Sequence, residues 1–188
     1  MEEKKYAVLI DGDNISSKYL DSILNEMTKY GIATYKRIYC DFTSQQSSKW
    51  RRLVRDSGIQ AMQQFANTVG KNATDSTLII DAMDILYTGN VDGFCIVSSD
   101  GDFTRLAIRL KESGMDVIGM GESKTPRSFR AACTVFTDLE ILYEAESEDD
   151  EISTKGKKPA VKHNVVKVSE IENVIIEIIN ENLSLIHI

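Results

Sequence analysis

The sequence predicts an α/β domain with a mainly parallel central sheet and helices on both faces. Short apolar runs such as Tyr6–Ile10 and Phe94–Ser98 have the length of fully buried strands. Segments of helical length separate them, and that alternation builds a parallel sheet. Carboxylates cluster where strands end or helices begin, in Asp11-Gly12-Asp13-Asn14, in Gly70-Lys71-Asn72-Ala73-Thr74-Asp75 and in Ser98-Ser99-Asp100-Gly101-Asp102. Such sheets bind ligands outside the carboxyl ends of their strands, where Asp11 and Asp100 fall.

The elements are expected in this order. Tyr6–Ile10 is the first buried strand. Ser16 or Ser17 caps a helix to about Tyr30, stopped by Gly31. Ala33–Cys40 alternates as a second strand, and Gln45–Arg55 is a polar, basic helix ended by Gly58. Ile59–Phe65 is a short strand. Asn72 or Thr74 caps a long helix to about Tyr87, with Gly89-Asn90 as its stop. Phe94–Ser98 is a strand, and Phe103–Glu112 a helix ended by Gly114. Asp116–Met120 is another strand, and Thr125-Pro126 opens a short helix to about Ala132. Val135-Phe136 leads to a final strand or helix near Leu139–Leu142.

Residues 1–143 thus read as one domain. Residues 144–167 read as a charged, flexible linker: Glu144–Glu151 holds six acids in eight residues, and Lys155–Lys167 holds five lysines and no acid. Residues 168–182 carry a helical stripe (Ile171, Val174, Ile175, Ile178, Ile179) too short to fold alone, as in the start of a second helical domain. Leu183–Ile188 match the translation of a sequencing-adapter end. They are set aside as a sequence artefact, the alternative being a natural helix end.

Composition narrows the chemistry. At 188 residues and 42% hydrophobic content the chain can bury a real core. Its longest apolar runs fall far below a membrane span and its start lacks a signal peptide, so no membrane partner is expected. Cys40, Cys95 and Cys133 are spread through apolar stretches without a CxxC pair. They suit buried free thiols in a reducing cytoplasm, not a zinc site. Both histidines, His163 and His187, lie in the tail, so the domain cannot build a Ser-His-Asp or Cys-His pair. The net charge is −7, but residues 1–143 carry 17 Lys and Arg against 19 Asp and Glu, a net of only −2. A bound cation would offset several of those acids, so an acidic chain does not exclude a nucleic-acid substrate.

Acids this close repel one another, and keeping them ionised is costly unless a cation sits among them. Oxygen-only ligands suit Mg²⁺ or Mn²⁺, and a divalent ion in an open carboxylate cup is a device for phosphodiester chemistry. Asp11, Asp75, Asp100 and Asp102 are the candidate ligands, Asp75 in a first helical turn where the macrodipole favours an anion. Taken singly, each acid reads as a cap or turn residue, Asp75 as a cap before a ligand; their joint occurrence at strand ends of one sheet is what points to a site. Asn14 can orient a metal-bound water or a phosphate oxygen, Ser98, Ser99 and Thr104 offer hydroxyls, and Lys71 can meet a phosphate or pair with the cup. Asp81 lies six residues past Asp75, about 240° around the helix, so it can serve only from an outer position. Lys49, Arg51, Arg52 and Arg55 form a basic helix around Trp50, and Lys124, Arg127 and Arg130 a second basic group. Trp50 either stacks on a base or packs inward.

The runs Ile10-Asp11-Gly12-Asp13-Asn14, Lys71-Asn72-Ala73-Thr74-Asp75 with Asp81-Ala82, and Ser98-Ser99-Asp100-Gly101-Asp102-Phe103 together resemble the NYN domain of the PIN-like nuclease superfamily. The resemblance covers about residues 5–143 and looks closest to the bacterial LabA-like branch, in which a LOTUS (OST-HTH) domain often follows. It implies a three-layer PIN-like, Rossmann-like sandwich and a Mg²⁺- or Mn²⁺-dependent ribonuclease, endonucleolytic before exonucleolytic. Asp11, Asp75, Asp100 and Asp102 match its acidic positions and Asn14 its asparagine. Single-stranded or structured RNA is the implied partner, with a homodimer left open. Two other readings stand beside it. One is a non-catalytic RNA-binding or regulatory module on the same fold. The other is a DxD phosphatase with Asp11 as nucleophile and Asp13 as acid, although Asn14-Ile15 replaces the Thr or Val usual after that motif.

Overall fold

The computed structural model describes residues 3–45, 47–65 and 73–154. Its elements are β1 (Lys5–Asp11), α1 (Leu20–Met27), β2 (Ile32–Cys40), α2 (Ser48–Ser57), β3 (Gln60–Gln63), α3 (Ala73–Thr88), β4 (Gly93–Val97), α4 (Thr104–Glu112), β5 (Asp116–Gly121), α5 (Arg127–Ala132), β6 (Val135–Asp138) and α6 (Leu139–Thr154). Short 3₁₀ turns at Ser17–Tyr19 and Gly101–Phe103 lead into α1 and α4. Gly31, Gly58, Gly89 and Gly114, the four stops read from the sequence, are the described glycines with positive φ. Residues with a Cβ avoid that region, so Gly58, Gly89 and Gly114 end α2, α3 and α4. Gly31 lies past the α1 cap at Thr28, and a Cβ on it would meet the Lys4 carbonyl.

The six strands form one parallel sheet in the order β3-β2-β1-β4-β5-β6. The chain builds outward from β1 to β3, then crosses back to pair β4 with the other side of β1. Strand direction out of the centre reverses there, which opens a crevice at the carboxyl ends of β1 and β4. Alternation along β1 assigns its faces. Ala7 and Leu9 pack with Leu78, Ala82 and Ile85 of α3 and with α4 and α5. Tyr6, Val8 and Ile10 pack with Leu20, Ile23 and Met27 of α1, Trp50 of α2 and Leu139 of α6. Two such layers around the buried central strands β1, β4 and β5 make the three-layer sandwich expected.

The structure departs from the sequence reading at the end of the domain. Val135–Asp138 is itself the last strand, and α6 starts at Leu139 and stays helical through the acidic run to Thr154. The early part of the predicted linker is therefore ordered helix. Its anchor is α1 and the turn before it: Ser22 donates to Glu146, and the Tyr143 ring meets the Tyr19 ring edge-on at 5.6 Å. One compact unit ends at Glu151 and a second begins at Ile152. Residues 155–188 lie outside the described residues, and with them the rest of the linker, the 168–182 helix and the 183–188 segment. Among the described residues, no helix is long and apolar enough to cross a membrane.

Leu139 is fully buried on the α1 face, so α6 belongs to the core. Leu139→Ala should destabilise the domain by about 3 kcal/mol, read as a shifted urea midpoint. An unchanged midpoint would mean that α6 only rests on the surface.

Candidate metal centre

The site assembles at the crevice between β1 and β4. Asp11 ends β1 with the same parity as Ala7 and Leu9, so its side chain points to the α3 face, and it is only 2% exposed. The Ser98 hydroxyl, one residue past β4, donates to Asp11 Oδ2 at 2.8 Å and accepts the Asp100 amide at 3.0 Å. Asp100 in turn caps the 3₁₀ turn by accepting the Asp102 amide at 2.9 Å. A single hydroxyl thus couples the acid of one strand to the acidic loop of the next. Asn14 closes the same seam, its Oδ1 accepting the Ser99 amide at 3.1 Å. Ser99 Oγ accepts the Glu122 amide at 2.9 Å, which ties in the end of β5. Gly121 allows that approach, because a Cβ there would lie 2.5 Å from the Ser98 carbonyl oxygen.

Asp75 enters from the first turn of α3. One carboxylate oxygen from each of Asp75, Asp100 and Asp102 lies within 4.8 Å of the others. Three of the four expected ligands therefore converge. Asp11 is not in that tight group but lies beside it. Burial first, then the charges of Asp75 and Asp13, push its carboxyl up to about 7 against the opposing Ser98 hydrogen bond. Asp75 is also raised, first by burial and then by Asp100, Asp102 and Asp13. Mutual repulsion of this kind is what a divalent cation relieves, and an all-carboxylate donor set fits a hard ion such as Mg²⁺ or Mn²⁺.

The remaining predicted residues divide. Thr104 Oγ1 donates to the Gly101 carbonyl at 2.5 Å and so braces the turn that carries Asp102. Asp81 faces away from the cup and takes hydrogen bonds from Arg37 and Tyr39. Lys71 lies outside the described residues. Lys49 is exposed and lines a cleft of about 640 Å³ with Asp13, Asn14 and Ser16. Arg52 and Lys49 line an adjoining cleft of about 580 Å³ that shares Ser16 and Ser17. Arg55 and Arg127 are exposed. Arg51 donates to the Phe42 carbonyl at 2.8 Å, and Lys124 pairs with Glu122 at 2.9 Å. Arg130 departs from the expected phosphate role. Its guanidinium donates to the carbonyls of Glu122, Ser123 and Thr125 and to Asp138, and it stacks on Phe136 at 4.6 Å. Trp50 packs inward, with its indole N–H donating to the Gly12 carbonyl at 3.0 Å. Sequence reasoning missed the Ser98 bridge and the link from Thr74 Oγ1 to Asp13 Oδ2 at 2.7 Å. Polar residues flanking the acids were the only available signal.

Residues 5–140 match the NYN domain family model, and the chain belongs to that family, within the PIN-like nuclease superfamily. The family has the fold of metal-dependent nucleases. The chain is 26% identical over 174 residues to an uncharacterized protein, MJ0482, of Methanocaldococcus jannaschii, covering 89% of this chain and 66% of the relative. The chain thus spans just under two thirds of that protein's length. It also resembles the crystal structure of a protein of unknown function, VPA0982, from Vibrio parahaemolyticus, with a TM-score of 0.61 at 19% identity. That match covers 73% of this chain and 96% of the other, and it supports the shared fold.

The raised Asp11 carboxyl has a sign that can be tested. Folded Asp11 holds its proton more tightly than the unfolded chain does, where the ordinary value is 3.8. Its contribution to stability is fully present below that value and is lost as pH rises through about 7. In EDTA, the melting temperature of the wild type relative to Asp11→Asn should fall across this window. Millimolar Mg²⁺ or Mn²⁺ should restore it at the upper end. A difference that ignores both pH and metal would count against a cation beside Asp11.

Proposed function

We propose that the chain is a Mg²⁺- or Mn²⁺-dependent endonuclease acting on RNA. The observation that carries this reading is the meeting of Asp75, Asp100 and Asp102 beside buried Asp11, at the switch point of the sheet. Bound there, a divalent ion would polarise a scissile phosphate and lower the pKa of an attacking water. The protein's part is to hold the donors. Asp75, Asp100 and Asp102 offer carboxylate oxygens, Ser98 orients Asp11 and the Asp100 amide together, and Asn14 fixes the loop at Ser99. Asp13, the acid a DxD phosphatase needs, accepts from Thr74 and from the Asp41 amide, which favours the nuclease reading.

The substrate strand is proposed to leave the cup over α2. The two clefts lined by Lys49 form a continuous path from Asp13 and Asn14 to Arg52. Arg55, on α2, is a further exposed cation beside that path, and Arg127 is exposed on α5, while Lys124, Arg51 and Arg130 are occupied within the fold. The same proposal includes the LabA-like branch, a LOTUS-type segment from residue 168, and action in the cytoplasm, where Cys40, Cys95 and Cys133 remain free thiols.

Single-stranded RNA and DNA should be incubated with Mg²⁺, Mn²⁺ or EDTA beside Asp100→Asn. RNA should be cut internally with metal and spared in EDTA. Asp100→Asn should slow cutting by more than about 100-fold, the loss an outer-shell partner alone can cause. RNA binding without cleavage in any metal would leave the non-catalytic module in its place.

The path has its own test. Lys49→Ala/Arg52→Ala should weaken single-stranded RNA binding and flatten its log–log salt slope by about 1.4, at about 0.7 for each lost phosphate contact. An unchanged slope would move the strand toward Arg127.

A further inference from the structure

The rotation of α3 decides whether Asp75 faces the cup. The buried stripe of α3, Leu78, Ala82 and Ile85, turns one side of the helix to the sheet. Asp81, on the flank of that stripe, adds directional contacts that aliphatic packing does not supply. Tyr39 Oη and Arg37 Nη1 donate to its two carboxylate oxygens. Both donors stand on β2, two residues apart, and so on one face. Tyr39 is the register partner of Asp11 on the neighbouring strand, and its carbonyl accepts the Gly12 amide at 2.9 Å. One buried tyrosine therefore touches the chain at Asp11 through its backbone and the helix of Asp75 through its hydroxyl. The Arg37 and Asp81 side chains are only 19% and 16% exposed, so the contact is shielded from water, unlike a surface ion pair.

We propose that Tyr39, with Arg37, is a positioning element for the metal centre, holding α3 through Asp81 so that Asp75 meets Asp100 and Asp102. The proposal rests on the metal-centre reading above and adds to it residues that contact no ligand. The phenol stays a donor throughout, since burial and the Asp81 charge push its ionisation well above the ordinary range. Asp81, six residues from Asp75 and on a different side of the helix, acts as the handle by which the sheet turns it.

The test is Mn²⁺ affinity by titration calorimetry on the full chain, with the melting temperature in EDTA as fold control. Tyr39→Phe keeps the ring and removes one donor. It should weaken Mn²⁺ binding by about tenfold, the lower end of losses for outer partners of metal ligands, while the chain still melts cooperatively. Asp81→Asn, which keeps one acceptor oxygen, is the second variant should Tyr39→Phe not fold, and it should weaken binding at least as much. A lowered melting temperature with unchanged Mn²⁺ affinity in either variant overturns the proposal, because the network would then be structural only. Asp100→Asn separates the two levels. If it abolishes Mn²⁺ binding while Tyr39→Phe leaves it intact, the metal centre stands and the positioning role falls. If Asp100→Asn leaves binding unchanged, the metal-centre reading itself fails.

Discussion

Repulsion among carboxylates is the constraint around which this domain is organised. Asp75, Asp100 and Asp102 meet within a few ångströms, with Asp11 buried beside them, and no apolar packing would choose that arrangement. The fold sustains it with directional hydrogen bonds around Asp11, Asp100 and the turn that carries Asp102. Ser98 holds Asp11, the Asp100 carboxylate caps the Asp102 amide, and Thr104 ties the turn beneath. The neighbouring Asp13 is held by Thr74. Such bonds favour particular geometries at a modest net gain of about 1 kcal/mol each. Burial first, and the neighbouring charges after it, keep the carboxyls of Asp11 and Asp75 raised. A site that costs stability in this way is a common mark of function.

Topology turns the constraint into a site. The acids stand at positions 11, 75, 100 and 102, and only the crossing from β3 back to β4 brings them together. Each end of the crevice is stitched from the opposite strand's loop, Asn14 to Ser99 on one side and Ser99 to Glu122 on the other. The clefts of the proposed strand path begin at the same loop, at Asp13 and Asn14.

Much of this was legible in the residues. Buried parallel strands write themselves as short apolar runs, and helix-ending glycines as stops, so the element order followed directly. The acids were legible because a sheet of this class puts strand ends on one edge, and three motifs placed carboxylates there. Register was not legible. That Tyr39 lies opposite Asp11, or that Ser98 reaches it, depends on which strands pair and in what stagger, and local patterns do not encode that. Side-chain commitment was also hidden. Arg130 looked like a free cation, yet three carbonyls and Asp138 claim it. The acidic run after Tyr143 looked solvated because composition cannot show that Glu146 has a serine waiting on α1.

Trp50 gives the molecule a built-in optical probe. It is the single tryptophan of the chain, it is buried, and its indole N–H is bonded to the carbonyl of Gly12, the residue between Asp11 and Asp13. Indole emission responds to the polarity and hydrogen bonding around the ring. A shift of the β1 loop as charge gathers or is neutralised there is open to report by one indole, with no label and no second tryptophan to share the signal.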